Sequence, residues 1–496
     1  MPRSSQGVRS GASGPGAAGR APPWPGAALA LAMAVVAALV ALWCAAGIAV
    51  RATHGARTTA DEPQYLLTAI SLAEDGDLDI ADELAGRRWR AFHEAELPEQ
   101  TRPLAGGGRL SPHGPLLPLL LALPVALGGW VGAKLALAAM AGLLAALLLW
   151  IAVRRLGTGP GPAVLVVLAC CLAPPLAVYG TQVYPELPAA LALAAALAAL
   201  TGPLRGRGLL AAGGAVVALP WLGTKYAPVA GVVAVLVVVR LGRAARRRAA
   251  AAWVAALAGA GAAYALAHLA LYGGLTPYAV GDHFVGGELT VVGAEPDYAG
   301  RSARLLGLLV DRSFGLAAWQ PVWLAAVAAL AALVRRRPPG WDALAWPLAA
   351  GWLVASFVAL TMHGWWWPGR QVVVVLPAGA LALAWWMDSD RAGGRCSSGR
   401  DGPAGPAPAR RRLMAVAALG AAGVVSFAWL VADGIGLRVS WVVGFEGTGN
   451  PLYRAWRHLL PDYREPGAWT WWLHGAWLAA LAALALAGWR GERPDR

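Results

Sequence analysis

Four short stretches of this sequence carry residue types able to do chemistry, and each borders an apolar run. The first reads Thr59-Ala60-Asp61-Glu62-Pro63-Gln64-Tyr65-Leu66-Leu67 and leads to the acidic turn Asp75-Gly76-Asp77-Leu78-Asp79. A carboxylate near a membrane surface can take a proton from an acceptor hydroxyl. One such base suffices when the leaving group is a phosphate, which departs without protonation. Neighbours on a helix point ~100° apart, so Asp61 and Glu62 must play separate parts, one as base and one orienting it or the acceptor. The competing reading has both acids capping a helix that starts at Pro63 and suiting its dipole.

The second stretch is Tyr179-Gly180-Thr181-Gln182-Val183-Tyr184-Pro185-Glu186-Leu187-Pro188, in which Glu186 is the only acid between Glu99 and Asp282. An acid at the lip of an apolar span is costly, which marks it either as functional or as a helix cap. The third holds Lys225, one of only two lysines, in Leu222-Gly223-Thr224-Lys225-Tyr226-Ala227-Pro228. An ammonium there either snorkels to headgroups or holds a lipid phosphate. In the fourth, His363-Gly364-Trp365-Trp366-Trp367-Pro368-Gly369-Arg370, Arg370 is the only basic residue of its loop. The tryptophans fit an interfacial belt or a platform for sugar rings. Arg102, Arg109 and His113 are further candidates for a phosphate.

Asp61, Glu62, Glu186, His113 and His283 could together hold a divalent metal, although no spacing among them is diagnostic. The sequence has no Walker motif and no dinucleotide fingerprint, which argues against ATP or a nucleotide-sugar donor. Cys44, Cys170, Cys171 and Cys396 form no CxxC pair, and the first three read as small packing residues within apolar segments.

The elements that must position these groups are spans. The chain is 58% hydrophobic and 14% charged, with a mean hydropathy of +0.54, too apolar to cover a soluble surface of this size. Crossing ~30 Å of hydrocarbon takes ~20 apolar residues. Twelve candidates emerge: 27–50, 130–153, 161–179, 187–203, 209–224, 226–240, 249–272, 314–334, 341–361, 371–387, 413–432 and 468–489. An all-α polytopic membrane protein of about twelve transmembrane helices is therefore expected, with helices in its outer loops. The pair 209–240 reads as a tight hairpin broken by Pro220, Gly223 and Pro228. The stretch 115–127 is too short to span, and is expected to lie in the interface or re-enter.

Charge then orients the bundle. With an even number of spans and both termini cytoplasmic, the cytoplasmic segments carry 24 Arg against 6 acids and the outer ones 17 Lys+Arg against 21 acids. Every loop obeys the positive-inside rule, and all eight histidines fall on the outer side. A net charge of +14 made of short Arg runs between spans is not a nucleic-acid surface, so no nucleic-acid partner is expected. The organisation follows: a disordered cytoplasmic N-terminus (1–26), a transmembrane core (27–387) with a long first outer loop (51–129), a cytoplasmic linker (388–412), and a two-span C-terminal region (413–496) with an outer loop at 433–467. The first apolar run exceeds a signal-peptide core and reads as an anchored span.

In this order the motifs resemble a known superfamily. Asp61-Glu62-Pro63-Gln64-Tyr65-Leu66 with Gly76-Asp77-Leu78-Asp79 is similar to the first-loop signature of the GT-C glycosyltransferases, which include protein O-mannosyltransferases and lipid A aminoarabinose transferases. Ser111-Pro112-His113-Gly114-Pro115 resembles their passage into the second span, Tyr184-Pro185-Glu186 their second acidic position, and Thr224-Lys225 their Thr-Lys pair. Asp311-Arg312, Phe314-Gly315-Leu316, Gln320-Pro321 and Gly364 to Arg370 extend the likeness over roughly 50–387. The resemblance implies a GT-C-like core and inverting transfer of a sugar from a polyprenyl-phosphate donor to a glycan, lipid or protein acceptor. It implies Asp61 as base, Glu62 or Glu186 as acceptor-orienting or metal-adjacent acids, and Lys225 and Arg370 as phosphate contacts. One departure stands out: Arg109 and His113 occupy the passage where aminoarabinose transferases place a phosphate-contacting lysine.

Two other classes compete. Many spans and a Pro/Gly-broken pair also suit a transporter or lipid-linked saccharide flippase, but no inverted repeat is visible and charges inside spans are nearly absent. A non-catalytic scaffold would tolerate loss of Asp61, Glu186 and Lys225 together.

Overall fold

A computed structural model describes residues 25–282, 288, 292–293, 295–393 and 407–490. The expected N-terminal disorder, most of the 388–412 linker, His283 and Cys396 lie outside the described residues. Thirteen helices of twelve residues or more form among those described: α1 Gly26–Ala45, α2 Glu62–Glu74, α3 Leu116–Arg154, α4 Pro160–Cys171, α5 Glu186–Leu200, α6 Gly206–Leu222, α7 Ala227–Arg243, α8 Arg247–Tyr272, α9 Val322–Arg336, α10 Trp341–Leu353, α11 Leu376–Gly393, α12 Ala407–Ile435 and α13 Ala468–Arg490. No strand forms among the described residues; two isolated bridges, Asp79 with Leu110 and Thr101 with Gly281, tie loops together.

Among the described residues, eight helical segments are long and apolar enough to cross a membrane, and the chain is a multi-pass membrane protein. Four of the twelve expected spans form shorter helices, α4, α5, α6 and α9, of 12, 15, 17 and 15 residues. At 1.5 Å per residue, 15 residues reach only ~22 Å. Proline shortens three of them, because it lacks the N–H that would continue the ladder backwards: Pro160 opens α4, Pro185 precedes α5 and Pro321 precedes α9. Brief helical turns such as Leu176–Tyr179 and Leu316–Trp319 carry the chain beyond them.

The expected short stretch before the second span is a helical arm. It joins the span across Gly128 and Gly129, whose backbone leaves the helix; Gly129 takes φ 57 and ψ −149, open in practice only to glycine. The hairpin at 209–240 also forms, as α6 and α7 joined through the 3₁₀ turn Thr224–Tyr226. The most central helix is α5, buried on nearly every side. By contrast, α1, α8 and α13 expose long apolar faces, as lipid-facing helices must.

Arginine-rich turns gather at one end of the bundle. There Arg240 pairs with Asp342, Arg246 reaches the carbonyl of Leu204, and Asp388 accepts the backbone N–H of Gly159 at 2.8 Å. At the other end the segment 433–467 folds over the loop that carries Arg370. Trp367 packs between Trp319, Trp441 and Phe445, and Trp319 stacks on Tyr453 with centroids 4.1 Å apart.

Candidate active site

The turn into α2 decides what its two acids do. Ala60 is held at φ 50, an unfavourable region for a residue with a Cβ. Asp61 occupies the N-cap position yet makes no side-chain cap hydrogen bond. Instead its Oδ2 accepts from Arg370 Nη2 at 2.6 Å, and its Oδ1 lies 3.9 Å from His113 Nε2. Glu62 does not cap the helix either but ties the turn before it to the neighbouring segment: its Oε2 accepts the N–H of Thr59 at 3.0 Å and its Oε1 that of Val183 at 2.8 Å. Fully buried, Glu62 looks into the protein body toward Lys134 rather than into open space. The two acids therefore separate, as their angular spacing requires.

Their titration differs accordingly. Burial alone would raise the Asp61 carboxyl, but Arg370, and then His113, hold it well below the usual carboxylate range. For Glu62 burial wins over Lys134 and the two backbone donors, and its pKa is raised. Asp61 is thus the acid held ready in its anionic form.

Glu186, at the start of α5, has no exposed surface. Its Oε1 accepts from Lys225 Nζ at 2.7 Å and from Arg370 Nε at 2.8 Å, so its carboxylate does not serve as a helix cap. Lys225 reaches it from the α6–α7 turn. Arg370 follows Gly369, whose φ of 82 suits glycine, and its guanidinium lies over the rings of Tyr184 (4.2 Å) and Trp366 (5.1 Å). Two acids and two cations thus form a single cluster, in which Glu186 and Arg370 are buried and Asp61 and Lys225 partly exposed.

That cluster opens into a cavity of about 450 Å³ lined by Asp61, Lys225, Arg370 and His113. Leu222, Val229, Val354, Val358, Leu360 and Val374 give it apolar walls. His113 is set in place by stacking on Tyr65 (4.9 Å) and by a contact of 3.2 Å between its Nε2 and Gln100 Oε1. The three tryptophans part ways: Trp365 is exposed, Trp366 lines the cavity and Trp367 is buried in the core. Gln100, Tyr65, Tyr278 and Gln371 also line the cavity and were not singled out in the sequence. Tyr65 had a signal there, since it lies four residues after Asp61 and so shares its helix face. Gln100 and Tyr278 had none, because they arrive through loop pairing: Arg102 N–H to Val280 O (2.9 Å) and Asp282 N–H to Gln100 O (3.1 Å).

The structure does not bring Arg109 to this cavity. Its guanidinium pairs with Glu99 and reaches Thr101 O, and its backbone N–H donates to Asp79. Arg102 pairs with Asp282 at 3.5 Å.

Two solved structures resemble the chain. Both are crystal structures of ArnT from Cupriavidus metallidurans. The one bound to undecaprenyl phosphate has a TM-score of 0.48 and 15% identity, covering 93% of this chain and 72% of that one. The apo form has a TM-score of 0.40 and 15% identity, covering 94% and 78%. No protein-family model matches the chain, and no curated protein does.

The donor set in the cavity suits an anion better than a metal. Asp61 and Glu186 spend oxygens on Arg370 and Lys225, and Glu62 is engaged with backbone. Among the described residues, the three or more His, Cys, Asp or Glu groups close enough to share an ion occur elsewhere, at Asp75, Asp82 and Glu83. An ammonium and a guanidinium at an apolar cavity wall can bind a phosphate, and the ionised Asp61 beside them can accept a proton.

Proposed function

We propose that this protein is a membrane glycosyltransferase that moves a sugar from a polyprenyl-phosphate donor to an acceptor hydroxyl, with inversion. The observation that carries this reading is that Asp61, Lys225 and Arg370 line one cavity whose remaining walls are largely apolar. The phosphate would sit against Lys225 and Arg370, with the first prenyl units along Val229, Val354 and Val358. The acceptor oxygen attacks the anomeric carbon from the face opposite the phosphate while its proton passes to an Asp61 oxygen. The sugar–phosphate C–O bond breaks, and the phosphate leaves with the electron pair and needs no proton. Glu186 positions both cations from behind, and Glu62 fixes the turn that aims Asp61. No step runs through a metal.

We place the cavity at the outer face of the cell membrane, with both termini cytoplasmic. The support is the arginine-rich opposite end, which the positive-inside rule assigns to the cytoplasm. The acceptor class, glycan, lipid or protein, is left to experiment.

The test uses the full chain in nanodiscs with a panel of polyprenyl-phosphate monosaccharides, following release of polyprenyl phosphate and labelled product. Wild type is expected to turn over at least one donor, and Asp61→Asn to lose turnover while keeping its thermal midpoint. Wild-type turnover by that variant would remove the base. Movement of an unreacted lipid-linked sugar across the bilayer, without product, would favour a flippase.

A further inference from the structure

A second acidic group lies at the far end of α2, about 20 Å from Asp61 at 1.5 Å per residue. The helix ends at Ser71–Asp75, where the N–H groups of Asp75 and Gly76 both return to Ser71 O, at 2.8 and 2.9 Å. Gly76 turns at φ 80. The chain then reverses into the short helix Ala81–Ala85. That reversal brings carboxylate oxygens of Asp75, Asp82 and Glu83 within 4.8 Å of one another.

The other acids of this turn are already committed. Asp77 Oδ1 accepts from Ser71 Oγ (2.9 Å) and from the N–H of Asp79 (2.9 Å). Asp79 Oδ1 accepts the N–H groups of Ala81 (3.0 Å) and Arg109 (2.7 Å). Arg88, the basic side chain beside the group, is held by both oxygens of Glu74 at 2.8 and 2.6 Å. Glu83 stands apart from all of these. It is only 2% exposed, and neither of its oxygens has a hydrogen-bond donor. A buried carboxylate aimed at two others is unfavourable by several kcal/mol unless a proton shared with Asp82, or a cation, sits between them.

We propose that Asp75, Asp82 and Glu83 form a binding site for a hard divalent cation of the Ca²⁺ class. The ligand chemistry fits: three carboxylates and no nitrogen or sulfur suit hard cations such as Ca²⁺, Mg²⁺ or Mn²⁺ over the softer Zn²⁺ and Cu²⁺. Bonds of 2.3–2.6 Å put any two oxygens on one Ca²⁺ no more than roughly 5.2 Å apart, and the three carboxylates, within 4.8 Å of one another, respect that limit. Asp75 and Asp82 are exposed, so an ion can enter from solvent, while Glu83 closes the site from within. The cation would staple the C-terminus of α2 to the short helix after it, bracing the helix whose other end aims Asp61. Its role is to order the loop and not to take part in the transfer.

The test uses the purified full chain, stripped with EDTA and then titrated with Tb³⁺ under tryptophan excitation, with Ca²⁺ and Mg²⁺ as competitors. The expected result is one saturable Tb³⁺ site displaced by Ca²⁺ with a half-point of roughly 10⁻⁴–10⁻³ M, the range of extracellular Ca²⁺ modules, and less readily by Mg²⁺. The thermal midpoint should rise with Ca²⁺ by the same titration. Asp82→Asn and Asp75→Asn change exposed side chains and should fold; each is expected to weaken Ca²⁺ at least about tenfold, and Glu83→Gln to abolish the site. The absence of any cation-dependent signal, or an undiminished one in the Asp75→Asn/Asp82→Asn double variant, would overturn the proposal. So would a midpoint that rises with acid but ignores Ca²⁺, the mark of a proton shared between Asp82 and Glu83. None of these outcomes depends on whether Asp61 is the base of a sugar transfer.

Discussion

Arg370 donates from Nη2 to Asp61 Oδ2 at 2.6 Å, joining two residues 309 positions apart in the chain. The same guanidinium donates from Nε to Glu186. One planar side chain therefore serves both acids at once, which an ammonium on a flexible stem does poorly. Removing it should leave the buried Glu186 with Lys225, and the partly buried Asp61 with His113 and Lys225, as remaining partners. Arg370→Met is expected to cost about 3–5 kcal/mol of stability and to abolish turnover. Arg370→Lys should retain part of the stability but little turnover. Denaturation midpoints and transfer rates measured side by side check both.

The ion pair also sets a pH dependence. Asp61 is held below its unfolded value of about 3.9. A depressed carboxyl contributes stability that is present above the unfolded value and is lost as pH falls through the folded one. The thermal midpoint should therefore fall between about pH 4 and the acid limit of folding, and Asp61→Asn should flatten that fall. With Asp61 already ionised in the resting protein, the proposed base needs no deprotonation, so turnover should show no acid limb from Asp61 above about pH 5. A limb at pH 6 that vanishes in Asp61→Asn would contradict the assignment.

Lys225 and Glu186 should behave as one unit. Lys225→Met removes the proposed phosphate contact and is expected to raise the donor KM more than it lowers kcat. Glu186→Gln loosens both Lys225 and Arg370, so it should affect KM and kcat together. Because the residues touch at 2.7 Å, the double variant should fall short of the sum of the singles by about 0.5–3 kcal/mol. Additive effects would place the two in separate roles.

Much of this arrangement could be read from residue types and local spacing. Asp61 and Glu62 were separable because adjacent helical positions diverge, and they face the cavity and the protein body respectively. Lys225 and Arg370 stood out as lone cations in apolar surroundings, and both line the cavity. What escaped was long-range or set in irregular loops. Nothing local says that Arg370 meets Glu186 across 184 positions; the Arg109–Glu99 pair is near in sequence but lies in an irregular loop with no periodicity to reveal it. The three successive tryptophans gave a single signal for three environments, because an irregular loop turns each to a different side. The count of twelve spans came from hydropathy, which does not register how prolines shorten α4, α5 and α9 into helices below spanning length.

His113 depends on a close backbone approach that only glycine permits. A Cβ on Gly114 would lie 2.5 Å from Trp221 O and 2.7 Å from Leu222 O. Both are backbone atoms of the α6 end that leads to Lys225, so neither can swing aside. Gly114→Ala must push the loop bearing His113 away from the turn bearing Lys225. The expected cost is about 1–3 kcal/mol, the usual range for overpacking. Since the displaced parts are two walls of the cavity, the donor KM should rise as well. Gly55→Ala is the control: its Cβ meets nothing within 4 Å, and it should stay within about 0.5 kcal/mol of wild type. If Gly114→Ala matched that control in both midpoint and KM, the close packing of the His113 loop on the Lys225 turn would not hold in solution.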